Sequence, residues 1–218
     1  MPADRAATWL AIVNPASGRS RARTGWPAVE QALRANGVAL EVVLTSSAHD
    51  GADIARRAVL QGRRWLLVAG GDGTVRVVCS ELSGSGIPLG VMPSGTGNLL
   101  ARNLNIPLDE SAALEVIFNG KQTLIDLVEL VIDDSDTPEH IAVMAGMGLD
   151  ARIMSSTDDG LKKVLGPAAY VVAAGDAATL PSFDVTVTLD DGEPLQRHAG
   201  LVMVGNVGQL QGNVQLLP

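Results

Sequence analysis

VAGGDGT, at Val68 to Thr74, is the most informative segment of the sequence, and PSGTGN, at Pro93 to Asn98, is a second glycine-rich segment farther along the chain. Apolar runs at Trp65 to Ala69 and at Ile87 to Met92 lead into the two stretches, so each lies where a predicted strand gives way to a turn. Turns that follow two neighbouring strands of one parallel sheet converge at the carboxyl ends of the strands, where open α/β sheets bind ligands. The pair therefore predicts a binding crevice on an α/β fold.

The composition of the two turns suits a bound phosphate. Glycine lets main-chain N–H groups come close to an anion, because no β-carbon stands in the way. A helix expected from Val75 to Leu82 would add the partial positive charge of its N-terminus at the same point. Asp72 needs a separate explanation, because a carboxylate beside phosphates is repelled unless a divalent cation or a proton-donating substrate lies between them. Asp72 therefore suggests either a bound Mg²⁺ or a part in the transfer of a phosphoryl group.

Length, composition and charge describe a folded globular protein. The chain has 218 residues, of which 46% are hydrophobic and 18% charged, enough for a substantial core. The formal charge of −8 gives no reason to expect a nucleic-acid partner, and it argues against strong general attraction to an anionic membrane. The only cysteine, Cys79, excludes an internal disulfide and lies in an apolar stretch, which predicts a buried structural thiol.

The sequence shows neither a secretory signal nor a membrane span. The apolar run near the N-terminus is short and stops at Asn14-Pro15, and the longest later run, Val164 to Gly175, is broken by Gly166-Pro167. That run is far shorter than the ~20 residues that a spanning helix needs. We therefore expect a cytoplasmic protein.

Strands and helices alternate through the first part of the chain, residues 1–122. Further strands are predicted at Thr8 to Val13 and at Ala39 to Leu44. Helices are predicted from Pro27 to a cap at Gly37, from Asp50 to Gln61, from Val75 to Leu82, from Leu99 to Leu104 with Asn98 as its cap, and from Ser111 to Phe118. The arginines before the first helix, Arg19, Arg21 and Arg23, are assigned to a solvated loop. The alternation predicts a doubly wound parallel sheet.

A second domain, residues 123–218, is predicted to be mostly antiparallel β. Its predicted strands are Leu124 to Asp133, Ile141 to Met144, Phe183 to Leu189 and Leu201 to Asn206, with a hairpin turn at Asp191-Gly192 between the last two. A helical insertion is predicted at Leu161 to Ala178. Turns are predicted at Gly146 to Asp150 and at Asp158 to Gly160, and we assign no metal to either.

Several ordered motifs resemble the diacylglycerol kinase catalytic-domain family, which also includes bacterial lipid kinases and sphingosine kinases. They run over nearly the whole chain: NPASG at 14–18, Thr45, GGDGT at 70–74, PSGTGN at 93–98, ARNLNIP at 101–107 and GMGLDA at 146–151. The resemblance implies a Rossmann-like first domain of the NAD kinase and phosphofructokinase type, followed by a β-sandwich domain. GGDGT by itself would also suggest an NAD kinase or a phosphofructokinase-like site.

The resemblance implies an ATP-dependent kinase, working with Mg²⁺, that phosphorylates the hydroxyl of a membrane lipid. Diacylglycerol is the first-choice acceptor, and the enzyme would touch the membrane surface peripherally. In the family the nucleotide lies in the cleft between the two domains. Carried over residue by residue, Asn14, Ser17 and Gly18 would border the nucleotide and Thr45 would contact it. The phosphates would be wrapped by Gly70, Gly71, Asp72, Gly73 and Thr74, with Asp72 near Mg²⁺ or the accepting hydroxyl. The pocket would be completed by Gly95, Thr96 and Asn98.

The chain departs from the family pattern in two places. After GGDGT many relatives carry a further residue and then Asn-Glu, where this chain has Val75-Arg76-Val77, so Arg76 is either a phosphate contact or part of a solvated helix face. In relatives an Asp-Gly-containing motif that supplies the general base follows the segment that ends here at Pro218. We therefore expect a truncated sandwich, a main base beyond Pro218, and Asp72 as the carboxylate to nominate within this chain. Strands left without neighbours would favour pairing into a homo-oligomer.

Two other functions remain open at this point. A nucleotide-binding module without catalysis would be stabilised by nucleotide and show no turnover. An NAD kinase-like enzyme would phosphorylate a soluble substrate without any lipid.

Overall fold

The computed structural model describes residues 7–46, 50–132, 138–148, 182–210 and 214–215. The chain divides into two compact units, Met1–Val143 and Met144–Pro218. The domain boundary predicted between residues 122 and 123 stays a prediction. The predicted helix at Leu161 to Ala178 and the turn at Asp158 to Gly160 lie outside the described residues.

The first unit begins as an alternation of strands and helices. Its elements are β1 (Trp9–Val13), α1 (Ser17–Ala35), β2 (Leu40–Leu44), α2 (Asp50–Leu60), β3 (Leu66–Gly70), α3 (Asp72–Glu81), β4 (Leu89–Pro93), α4 (Leu99–Asn103), α5 (Glu110–Asn119), β5 (Val128–Leu130) and β6 (Glu139–Ile141). The strands β1 to β4 form one parallel sheet in the order β2-β1-β3-β4. The predicted doubly wound α/β fold is confirmed.

Alternate residues of the central strands enter two separate cores. Trp9 and Ala11 of β1 pack with α1 and α5, whereas Leu10 and Ile12 pack with α2, α3 and α4. Because successive side chains of a strand point to opposite faces, a strand covered by helices on both faces must be apolar throughout. Every residue of β1 is accordingly buried. On the first face the rings of Trp9 and Trp65 stack with their centroids 4.8 Å apart.

Helix α1 begins ahead of the predicted start at Pro27. It runs from Ser17 and contains Pro27, so the predicted arginine loop is part of a helix. Proline has no N–H to donate to the preceding turn, yet Ala22 and Trp26, on the N-terminal side of Pro27, are buried in the core. The packing of these two residues stabilises the helical turns before Pro27. The low helix propensity of proline did not predict those turns.

The strands after α5 are shorter than predicted. The expected strand at Leu124 to Asp133 is reduced to β5, which pairs antiparallel with β6. The expected strand at Ile141 to Met144 is divided, because β6 ends at Ile141 and a new strand begins at Met144. An apolar run alone does not show where one strand ends and the next begins.

The second unit contains antiparallel strand pairs. They are formed by β7 (Met144–Gly148), β8 (Phe183–Val187), β9 (Leu195–Ala199), β10 (Leu201–Gly205), β11 (Gln209–Leu210) and β12 (Val214–Gln215), paired as β7 with β10, β8 with β9 and β11 with β12. The predicted turn at Gly146 to Asp150 is wrong in its first part, because residues 146–148 belong to β7. The hairpin turn at Asp191-Gly192 is confirmed, but its second strand is β9 and not Leu201 to Asn206. The sequence did not predict β9 because its residues are mostly polar and exposed, so they form no apolar run.

Candidate nucleotide site

The two glycine turns lie side by side at the carboxyl edge of the parallel sheet. Gly70 of β3 is in register with Pro93 of β4, and the Ser94 N–H donates to the Gly70 carbonyl at 3.0 Å. The chains remain close beyond the strands. A β-carbon added at Gly95 would lie 2.5 Å from Cα of Gly71, and one added at Gly71 would lie 3.2 Å from Cα of Gly95. Two glycines are therefore required here because two backbones touch.

The turn after β1 is hydrogen-bonded to the first glycine turn. Asn14 Nδ2 donates to Thr74 Oγ1 at 2.8 Å, and the Gly71 N–H donates to Ser17 Oγ at 3.1 Å. From β1 the chain turns to α1 on one face of the sheet, and from β3 it turns to α3 on the other face. The adjacent ends of β1 and β3 are thus the topological switch point, where doubly wound sheets bind ligands.

Helix α3 begins at Asp72, three residues ahead of the predicted start at Val75. Gly71 is its N-cap residue and supplies no side chain. Within the described part of the chain, the backbone N–H groups of Asp72, Gly73 and Thr74 have no hydrogen-bond acceptor. Unpaired N–H groups at the positive end of a ten-residue helix form an anion-binding surface. GGDGT is therefore the end of a strand and the start of a helix, with little turn between them.

Asn98 does not cap α4 through its side chain as predicted. Its backbone is left-handed, with φ 51°, and its amide group folds back on Gly95. Asn98 Oδ1 accepts from the Gly95 N–H at 2.9 Å, and Nδ2 donates to the Gly95 carbonyl at 2.8 Å. The cap comes from Asp72, whose Oδ2 accepts from the Asn98 N–H at 2.7 Å and whose Oδ1 accepts from the Leu99 N–H at 2.5 Å. The second turn is thus closed by its own asparagine and held by an aspartate from another helix.

The remaining residues proposed from sequence are Thr45, Gly18 and Thr96. Thr45 is buried at the end of β2, and its N–H donates to the Val13 carbonyl at 2.9 Å. Gly18, near the start of α1, has φ 58°, which favours glycine. Thr96 is exposed at the tip of the second turn. The structure therefore brings most of the predicted site residues into one hydrogen-bonded group: Asn14, Ser17, Gly70, Gly71, Asp72, Thr74, Gly95 and Asn98.

Two residues at the site did not stand out in the sequence. Ser94 is buried, and its Oγ has no hydrogen-bond partner among the described residues, although buried hydroxyls are normally paired. Arg102 Nε donates to the Gly97 carbonyl at 2.9 Å, which ties α4 to the second turn. Both lie within quoted motifs, PSGTGN and ARNLNIP. Only their burial and partners, which depend on tertiary structure, separate them from their neighbours.

Two further polar groups have local partners. Arg76 pairs with Glu139 of β6 at 2.8 Å, with both side chains well exposed. His198 contacts Ser182 Oγ through Nε2 and Asp184 Oδ1 through Nδ1. The side chains of His198 and Asp184 are 64% and 96% exposed, so water competes for these hydrogen bonds. We therefore assign no catalytic role to these three side chains.

Cys79, predicted to be a buried structural thiol, lies on the buried side of α3 with 8% of its surface exposed. Burial disfavours the thiolate and raises the pKa of Cys79 to about 11. The thiol is therefore protonated at neutral pH.

Residues 8–130 match the family model of the diacylglycerol kinase catalytic domain. A diacylglycerol kinase of Mycobacterium tuberculosis is 27% identical over 213 residues, which cover 95% of this chain and 67% of that protein. A Pseudomonas fluorescens protein named Probable lipid kinase YegS-like is 35% identical over 147 residues, which cover 66% of this chain and 46% of that protein. A crystal structure of a diacylglycerol kinase from Bacillus anthracis superposes with a TM-score of 0.71 at 26% identity, over 95% of this chain and 67% of that one.

Proposed function

Because the chain belongs to the diacylglycerol kinase catalytic-domain family, we propose that it is an ATP-dependent lipid kinase. It transfers the γ-phosphate of ATP to the hydroxyl of a membrane lipid, with diacylglycerol as the first-choice acceptor and phosphatidic acid as the product. The observation that carries the proposal is the open first turn of α3. Its free N–H groups lie at the switch point of the sheet, beside the contact between the two glycine turns.

The residues around α3 suit the phosphate end of a nucleotide. The N–H groups of Asp72, Gly73 and Thr74 donate to phosphate oxygens, and the helix dipole stabilises their charge. Asn14 and Ser17 hold this turn from the side of β1. Gly18 and Thr45 border the rest of the nucleotide, and Gly95, Thr96 and Asn98 form the opposite wall. Phosphoryl transfer depends chiefly on positioning and charge stabilisation, and rigid N–H donors supply both.

Mg²⁺ would enter with the nucleotide. Among the described residues no group of three or more His, Cys, Asp or Glu side chains is placed to hold a metal ion. Mg²⁺ is commonly bound through substrate phosphates and water with only one or two protein carboxylates, so a protein cage is not required. When bound, the ion would neutralise phosphate charge. The contribution of this chain is then to hold the phosphates through its backbone N–H groups.

A lipid acceptor requires the enzyme to work at a membrane surface. Within the described residues, no helix has both the length and the apolar character needed to cross a bilayer. We therefore propose peripheral contact with the membrane as the means by which the acceptor is reached.

Phosphate transfer from labelled ATP to diacylglycerol in mixed micelles with Mg²⁺ tests the activity. A lipid kinase gives labelled phosphatidic acid at a rate that rises with the lipid. Labelled NADP formed from NAD without lipid would instead favour the NAD kinase-like function. Stabilisation by ATP without turnover on either acceptor would favour a binding module.

Gly73→Asp tests the phosphate site itself. Gly73 is exposed and a β-carbon there meets no atom within 4 Å, and a carboxylate in the first turn of a helix is favourable for the fold. We expect unchanged or higher thermal stability and at least ~10-fold weaker ATP binding by calorimetry, because the carboxylate takes the place of the phosphate. ATP affinity equal to that of the wild type would contradict a phosphate site at α3.

A further inference from the structure

The carboxylate of Asp72 is committed to the backbone of the second glycine turn. Each of its two oxygens accepts one N–H, from Asn98 at 2.7 Å and from Leu99 at 2.5 Å. These donors belong to the N-cap and first residues of α4, whereas Asp72 is the first residue of α3. Charge-assisted hydrogen bonds of this kind are stronger than neutral ones. One carboxylate therefore joins the starts of two helices.

No other acceptor for these two N–H groups is present among the described residues. The side chain of Asn98, which could cap α4, is instead bonded to Gly95 through both its oxygen and its nitrogen. The left-handed backbone at Asn98 also costs energy in a residue other than glycine, so it must be held by its surroundings. Asp72 is the residue that holds it.

The surroundings of Asp72 leave its carboxylate little freedom to move. A β-carbon added at Gly97 would lie 2.6 Å from Asp72 Oδ2, and the backbones of Gly71 and Gly95 are in contact. Arg102 fixes the same turn from the other side through the Gly97 carbonyl. The half-buried carboxylate is thus in close contact with the turn that it binds.

We propose that Asp72 is a positioning residue, whose carboxylate caps α4 and thereby locks the second glycine turn against the phosphate-binding start of α3. Its effect on the nucleotide passes through the shape of the two turns. The proposal rests on the proposed function in taking the nucleotide phosphates to lie at α3.

Whether neutralising Asp72 tightens or weakens ATP binding distinguishes a positioning residue from a metal ligand. A carboxylate beside phosphates repels them, so in the absence of a metal its neutralisation should tighten ATP binding if the turns keep their shape. A metal ligand predicts tighter binding of Asp72→Asn in EDTA and weaker binding with Mg²⁺. A positioning residue predicts weaker binding in both, because the turn that forms the pocket is no longer held.

The experiment compares Asp72→Asn with Asp109→Asn as a matched control. Asp109 caps α5 with the same chemistry, since its Oδ1 accepts from the Ala112 N–H at 3.0 Å. In Asp72→Asn the side-chain oxygen can still accept one of the two backbone N–H groups. The side-chain NH₂ group faces the other backbone N–H and cannot accept it. We expect hydrogen exchange at the Asn98 and Leu99 amides of the free protein to be at least ~10-fold faster, and ATP affinity to fall ~10-fold in EDTA and in Mg²⁺. The control should change neither quantity.

Gly97→Ala provides a second test of the positioning role if Asp72→Asn does not fold. It leaves the carboxylate charge intact and displaces it, so the same amides should exchange faster. Unchanged exchange in both variants, or equal or tighter ATP binding of Asp72→Asn in EDTA, would overturn the positioning role. A wild-type protein that binds no ATP would overturn the proposed function alone, and the exchange measurement would still decide what Asp72 does.

Discussion

Replacing Gly95 by alanine is expected to force the two glycine turns apart. The added β-carbon would lie 2.5 Å from Cα of Gly71 and 2.9 Å from Oδ1 of Asn98. Carbon atoms in contact are normally about 3.5–4.0 Å apart, so the backbones must separate by about 1 Å. The obstacle at Gly71 is backbone, which cannot rotate away as the end of a flexible side chain can. The separation would also strain the hydrogen bond between Ser94 and Gly70.

The cost should fall at the upper end of the range for overpacking. Inserted carbon atoms destabilise packed sites by about 1–3 kcal/mol, and a clash between backbones relaxes least, so we expect about 3 kcal/mol. For a chain of this size that corresponds to a fall in Tm of about 6–12 °C. Tryptophan fluorescence during thermal or urea unfolding measures it, because all of the tryptophans are buried in the first unit: Trp9, Trp26 and Trp65.

Gly73→Ala is the matched control for that experiment. A β-carbon there meets nothing within 4 Å, and the residue lies in the first turn of α3. Alanine favours helix over glycine by up to about 1 kcal/mol, so this variant should be as stable as the wild type or slightly more stable. A Gly95→Ala protein whose free energy of unfolding lies within about 0.5 kcal/mol of the wild-type value would refute the close contact between the turns.

Three further outcomes follow from the described contacts. Burial raises the pKa of Cys79 to about 11, above the usual value for an unfolded thiol, so the contribution of the neutral thiol to stability is fully present below that unfolded pKa and is lost as pH rises towards 11. Urea unfolding of the wild type and of Cys79→Ala, measured across that pH range, should therefore give free energies of unfolding that diverge as pH rises. An equal pH dependence in both proteins would contradict this expectation. Ser94→Ala removes a buried hydroxyl that has no partner among the described residues, so chemical denaturation should give unchanged stability or a gain of up to about 1 kcal/mol, whereas a clear loss would mean that the hydroxyl is bonded. Glu139→Gln breaks the exposed pair with Arg76 and should cost less than about 1 kcal/mol while leaving ATP affinity unchanged, as a titration can check.

The parallel half of the fold followed from local patterns. Continuous apolar runs predicted β1 and β3, because a strand covered on both faces has no polar side, and glycine-rich turns marked where the strands end. Element boundaries were less predictable. Helix α1 extends through Pro27 because Ala22 and Trp26 are buried, and α3 starts inside GGDGT because Asp72 and Gly73 are already helical, whereas Gly71 is still extended. In each case packing outweighed the local preference of the residue.

Residue types alone predicted which residues form the candidate site, because NPASG, GGDGT and PSGTGN contain residues that permit close approach of a backbone to an anion. The partners of those residues depended on tertiary structure. The bond from Asn14 to Thr74 spans 60 positions, that from Gly71 to Ser17 spans 54, and that from Asn98 to Asp72 spans 26. Such contacts form only because the strand order β2-β1-β3-β4 brings the ends of β1, β3 and β4 to one edge. Local sequence sets the conformation of each turn, whereas the order and register of the strands decide which turns meet, and so only the folded sheet made the carboxylate of Asp72 the cap of α4.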